Sequence, residues 1–179
     1  MARARGLRAP RAGSCLHALI KALAGQLVTF SEARRIERGI VFRAGRPHAG
    51  LMLSPERADL ARLSAADVCA SGLAPRRAAA LVRISALLDL ERLSGAPPEG
   101  VAARLLRERQ LGPWSVGTFF LNGLGRYDRG LVGDLGLIKL CRELLGRRAE
   151  AADTAELLER SGATRASLRD SGERDRTAT

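Results

Sequence analysis

Aromatic residues are scarce in this chain: one Trp, one Tyr and four Phe, 3% of 179 residues. No stretch alternates apolar and polar residues convincingly, and the two absences together argue against a sheet-built core. Cysteine is just as sparse. Cys15, Cys69 and Cys141 lie far apart and form no Cys-x-x-Cys pair, so a zinc site or an iron–sulfur cluster finds no support. Their odd number also argues against a disulfide framework. Reduced thiols fit a cytoplasmic setting. The histidines, His17 and His48, lack metal-ligand spacing and read as structural or surface residues. No apolar run reaches the roughly 20 residues that span a bilayer. The opening MARARGLRAPRAGSC is basic but leads to no apolar stretch with a cleavage site, so no signal peptide is expected.

Charge and apolar content are what the chain has in quantity. It is 46% apolar, enough for one domain with a real core. Lys and Arg outnumber Asp and Glu by 30 to 19, a formal charge of +11, which favours a polyanionic partner such as nucleic acid. Arginine and alanine richness also follows from a GC-rich coding bias, so charge alone does not decide the matter.

The apolar spacing is helical almost throughout. Leu16, Leu19, Ile20, Leu23 and Leu27 form one stripe between Cys15 and Val28. Thr29 or Ser31 caps the next helix, which carries Ala33, Ile36, Ile40 and Val41. A loop over residues 43–53 follows, then Ser54-Pro55-Glu56 as an N-cap with Pro at the first helical position. Ser64 caps a short helix that Gly72 ends. Pro75 opens a longer one, running through RRAAALVRISALLDLERL to Ser94-Gly95. Further helices are expected at Glu99–Arg109, Trp114–Leu124, Leu135–Leu145 and Thr154–Arg160. Gly123-Leu124-Gly125 lacks the preceding strand of a dinucleotide fingerprint and reads as a helix stop. The expected architecture is all-α and two-lobed: a basic flexible arm over residues 1–14, a helical domain over 15–160, and a disordered polar tail over 161–179.

Two places carry chemistry. At Gln110-Leu111-Gly112-Pro113-Trp114, Leu111 plugs between two helices, Gly112 permits a tight turn, and Pro113 starts a helix. The N–H groups of Trp114, Ser115 and Val116 then point outward and suit a phosphate; an ordinary helical hairpin has the same pattern. Asp134 stands at the start of the next helix, LGLIKL. Most Asp residues so placed are simply N-caps, yet a cap also fixes a carboxylate in space. Trp114, the lone tryptophan, offers either a core ring or a face for a cationic base.

Taken in order, these segments resemble the helix-hairpin-helix DNA glycosylase superfamily, most closely its 3-methyladenine DNA glycosylase II branch. The resemblance rests on ALAGQLVT at 22–29, GLAPRRA at 72–78, GPWSVG at 112–117 and LVGDLGLIK at 131–139, and spans about residues 16 to 160. It implies a helical fold with duplex DNA across a cleft, and Asp134 as the catalytic carboxylate. It implies a wedge at Gln26 and Leu27 where the damaged nucleotide leaves the stack, and a base pocket at Trp114 and Thr118. Gln110, Leu111, Gly112 and Ser115 become the hairpin that grips the DNA backbone, its carbonyls able to hold a monovalent cation. Where the family writes its first hairpin Gly, this chain has Gln110; a positive φ there strains a Gln. Bifunctional members place a nucleophilic Lys where this chain has Trp114.

The resemblance therefore implies a monofunctional enzyme; a monomer is the default expectation, and the expected location is cytoplasmic and nucleoid-associated. The enzyme would excise alkylated bases of the 3-methyladenine type, without an iron–sulfur cluster. Two other readings remain open. One is a catalytically inactive helix-hairpin-helix DNA-binding protein, a truncated or decayed glycosylase in which Asp134 only caps. The other is a helical regulator reading DNA through a helix-turn-helix.

Overall fold

The computed structural model describes residues 10–126 and 130–159. The expectations for residues 1–9, Arg160 and the tail at 161–179 lie outside the described residues. Helix α1 (Cys15–Ala24) is the centre of the fold, packed by α2 (Phe30–Ala44), α5 (Pro75–Leu87), α6 (Leu90–Leu93) and α8 (Pro113–Phe119). Its sequence, CLHALIKALA, is apolar nearly all round, as a helix must be to sit inside a helical domain. Leu19, Ile20 and Leu23 are fully buried, each stabilising the fold by about 1.5–3 kcal/mol. Ser14 caps α1 through its side chain. At that end the Glu91 carboxylate accepts from the Cys15 and Leu16 N–H groups at 2.6 and 3.3 Å, holding α6 against α1. His17 joins α1 to α2 through Glu37 at 2.9 Å and reaches Ser54 at 2.8 Å.

The remaining helices are α3 (Arg57–Leu60), α4 (Ala65–Cys69), α7 (Pro98–Leu106), α9 (Leu135–Leu145) and α10 (Ala151–Leu158). A π-helical turn, Phe120–Leu124, continues α8 and ends at Gly125 in the left-handed region. None of the helices among the described residues is long and apolar enough to cross a membrane.

Several expectations need correction. Helix α1 stops at Ala24 with Gly25 as its cap, so Leu27 leaves the apolar stripe and is exposed. Glu56, not Ser54, is the N-cap of the helix after Pro55, because the Asp59 carboxylate closes a capping box onto the Glu56 backbone. The long helix from Pro75 breaks at Leu88, where Asp89 turns its carboxylate onto Arg92 N–H and starts α6 afresh. A two-residue antiparallel pair, β1 (Pro47–His48) with β2 (Leu51–Met52), forms within the expected loop. Ala49 and Gly50, both at positive φ, make its turn; a ladder this short leaves no alternation to read. At the start of the described residues, Ala12 N–H donates to Asn122 C=O at 2.7 Å, and the Arg11 guanidinium donates to Gly123 C=O.

Candidate active site

The carboxylate is positioned from both sides. Asp134 is the N-cap of α9, and its Oδ1 accepts from Gly136 N–H at 2.8 Å and Leu137 N–H at 3.1 Å. Its Oδ2 accepts from the Trp114 indole Nε1–H at 3.0 Å. An ionised carboxylate has about four acceptor sites, so one remains, on Oδ2. The segment before Asp134 is pinned twice. Gly133 N–H donates to the Thr154 hydroxyl at 2.9 Å, which in turn donates to Ala151 C=O in α10. A methyl group at Gly117 would collide with the Gly130 carbonyl, so only glycine lets this segment lie directly on α8.

Trp114 is fixed at its other end by α1. A Cβ built on Gly25 would come within 3.0 Å of the indole Cη2, so the glycine that ends α1 also admits the ring. Between Gly25–Val28, the hairpin with Trp114 and Ser115, and Gly133–Leu135 lies a cleft of about 500 Å³. Leu27 stands at its rim with φ +58° and 87% of its surface exposed. A leucine held in the left-handed region and turned to water costs about 1–2 kcal/mol in backbone strain and leaves apolar surface uncovered.

Gln26 points elsewhere. Its Nε2 donates to Gln110 C=O at 2.8 Å and to Ser115 Oγ at 2.7 Å. It ties the end of α1 to the hairpin. Arg77 of α5 holds the same turn from behind, donating to Leu23 C=O and Gln26 C=O at 3.3 and 2.7 Å. Ser115 is buried, and its hydroxyl oxygen accepts from Gln26 while its own O–H remains a donor.

The hairpin has the expected turn with a smaller donor set. Leu111 is buried between the helices, and Gln110 has φ +75°. Val116 N–H is taken by Gly112 C=O at 3.0 Å, which leaves the Trp114 and Ser115 N–H groups without acceptors among the described residues. Glu108 C=O accepts from Leu111 N–H, Gly112 C=O from Val116 N–H and Gln110 C=O from Gln26, which leaves each of these oxygens a second lone pair. Thr118 does not line the cleft. It lies four residues beyond Trp114, about 6 Å deeper along α8, where the Gly130 segment covers the helix; it is buried, with no partner for its hydroxyl. Gly25, Arg77, Gly117 and Thr154 escaped the sequence reading of the site, since each acts through a close approach or a backbone contact that no local pattern encodes.

The fold is that of the helix-hairpin-helix DNA glycosylases. A 3-methyladenine DNA glycosylase from Archaeoglobus fulgidus superposes with a TM-score of 0.70 at 23% identity, over 80% of this chain and 51% of the other. The 3-methyladenine DNA glycosylase Mag1 of Schizosaccharomyces pombe, solved with abasic DNA, gives 0.64 at 21% identity, over 79% and 69%. An 8-oxoguanine glycosylase/lyase from Clostridium acetobutylicum, bound to double-stranded DNA with cytosine opposite 8-oxoguanine, gives 0.70 at 16%, over 84% and 55%. The chain spans about half the length of the archaeal structure. No protein-family model matches the sequence, and no curated protein does.

Proposed function

We propose that the chain is a monofunctional DNA glycosylase that removes N-alkylated purines from duplex DNA. The observation that carries this reading is the 3.0 Å contact between Trp114 Nε1 and Asp134 Oδ2. It sets an aromatic ring and a carboxylate together on a cleft rimmed by an exposed leucine. The sequence resemblance to the 3-methyladenine branch and the structural likeness to two 3-methyladenine glycosylases support it.

The chemistry follows from the parts. A damaged base must leave the stack before its glycosidic bond can be reached, and a lesion is cheaper to unstack than an intact base. Leu27 fills the space the nucleotide vacates. A base carrying a positive charge is attracted to the electron-rich face of Trp114 and is already a good leaving group. As the bond to C1′ breaks, the sugar becomes oxocarbenium-like. The Asp134 carboxylate, held by three N–H donors, stabilises that charge without reorganising. Its remaining acceptor site can orient water toward C1′. None of the residues lining the cleft is a lysine, so no amine stands ready to form a Schiff base and cut the backbone. The hairpin N–H groups hold phosphate without reading sequence.

The test is base release from methylated duplex DNA by this chain and by Asp134→Asn. Free 3-methyladenine or 7-methylguanine from the parent alone, with the strand left uncut, supports the proposal. A folded parent that binds duplex but releases nothing overturns it in favour of a non-catalytic binder.

A further inference from the structure

Three residues beyond Leu27, at the first position of α2, Phe30 exposes 79% of its surface. It is one of only six aromatic residues in the chain. Leaving such a ring in water forfeits the burial that aromatic residues normally contribute. The Arg34 guanidinium lies 5.8 Å from the ring centroid, over one face, an attractive arrangement that also restrains the ring. The other face is open.

The surroundings say what would cover it. Helix α2 carries Arg34, Arg35, Arg38 and Arg43 on a chain of formal charge +11. Of its two acids, Glu37 is committed to His17 and Glu32 lies against Arg35. A surface that interleaves arginines with an open aromatic face suits a strand of nucleic acid, whose phosphates meet the guanidinium groups while its bases stack on the ring. Three residues of chain reach at most about 10 Å, which is about three base steps at ~3.4 Å each. With Leu27 in the gap left by an extruded nucleotide, Phe30 falls within reach of the strand opposite. The base there has lost its partner. Leucine has no π-face to offer it; phenylalanine does.

We propose that Phe30, backed by Arg34, is a second stacking residue that packs on the orphaned base opposite the damaged nucleotide. The inference rests on the reading of the cleft as a base-extruding site and adds a contact to the undamaged strand. Because every base has a π-face, the contact tolerates any opposing base. It lowers the cost of holding the duplex open, so it favours damaged over intact DNA.

The experiment uses a duplex with a tetrahydrofuran abasic analogue opposite 2-aminopurine, whose fluorescence falls when it stacks on an aromatic ring. The parent and Phe30→Tyr are expected to quench it on binding, whereas Phe30→Ala and Phe30→Leu do not. The latter two should also bind the abasic duplex about tenfold more weakly, the loss of one base–aromatic stack, with little change on a fully paired duplex. Because Phe30 is exposed, none of these variants disturbs the core. Equal quenching by Phe30→Leu, or an equal loss of affinity for intact DNA, overturns the proposal. So does a change in oligomeric state without a change in DNA binding, which would assign the ring to a second copy. Base release is scored separately. Phe30-dependent quenching without release refutes the catalytic reading alone; release that ignores Phe30 refutes this inference alone; failure to bind the abasic duplex refutes both.

Discussion

Trp114 and Asp134, twenty residues apart in sequence, are joined by a hydrogen bond of 3.0 Å from the indole N–H to the carboxylate. The ring therefore does more than line the cleft: it orients the carboxylate against α8 while the α9 backbone holds it from the other side. Hydrogen bonds to charged groups contribute about 1.5–3 kcal/mol. Trp114→Phe keeps a ring but removes the donor, so base release under single turnover is expected to fall about 10- to 100-fold. Binding to undamaged duplex should be nearly unchanged. A rate within twofold of the parent would show that α9 alone holds Asp134 in place.

Gln26 makes a second prediction. Its amide spans the gap between α1 and the hairpin and partners the buried Ser115 hydroxyl. Gln26→Ala leaves that hydroxyl unsatisfied and frees Leu27 to move relative to the hairpin, at a cost of about 1–3 kcal/mol. Melting temperature and rate of base release should both drop. Gln26→Glu is expected to be worse than Ala, because a carboxylate cannot donate to the Gln110 carbonyl and repels it instead. If Glu proved the milder change, the side chain would be acting on DNA and not as a strut.

The helical period made the fold legible in sequence: the stripe of Leu16, Leu19, Ile20 and Leu23 marks α1, and Asp134 before LGLIKL marks the start of α9. Breaks were harder to see. Asp89 sits inside an apolar pattern that runs on regardless, and its capping bond to Arg92 N–H exists only once the chain has turned. The site divides in the same way. Asp134 and Trp114 stand out in sequence by residue type and position, Leu27 only through the family resemblance, and the structure brings all three to one cleft. Arg77 and Thr154 work by grasping backbone atoms of distant segments, and Gly25 and Gly117 by leaving room for them. Gln26 was assigned to the wedge because it adjoins Leu27, and only the three-dimensional arrangement turns it onto Ser115. Thr118 shares the helix face of Trp114, but depth along α8, which periodicity does not reveal, removes it from the cleft.

Acid should loosen the fold through Asp59. This buried side chain accepts from the Glu56 backbone N–H at 2.9 Å, lies 3.4 Å from Arg46 and accepts from Arg62 at 3.1 Å. The Glu56 N–H does most to hold its carboxyl below the ordinary carboxylate range, burial works against it, and the two arginines add to the lowering. A group with a depressed folded-state pKa contributes stability above its unfolded value of about 3.9 and loses it as pH falls through the folded value. The melting temperature of the parent is therefore expected to fall as the pH drops below about 4. Asp59→Asn should start lower at neutral pH, by about 2 kcal/mol, and show a shallower decline. Parallel curves would place the acid sensitivity elsewhere.

Gln110 tests whether strain at the hairpin serves function. Its φ of +75° lies where an L-residue with a side chain costs about 1–2 kcal/mol and glycine nothing. Glycine in turn adds freedom to the unfolded chain, about 0.5–1 kcal/mol. The balance favours Gln110→Gly by about 0.5–1 kcal/mol, roughly 1–4 °C in melting temperature for a domain of this size. The Gln110 carbonyl, which Gln26 requires, belongs to the backbone and survives the change, so affinity for duplex DNA should hold. If the glycine variant melts lower than the parent, the Gln110 side chain makes a contact that outweighs its strain. If it melts higher but binds DNA more weakly, the hairpin depends on the stiffness that a side chain at positive φ imposes.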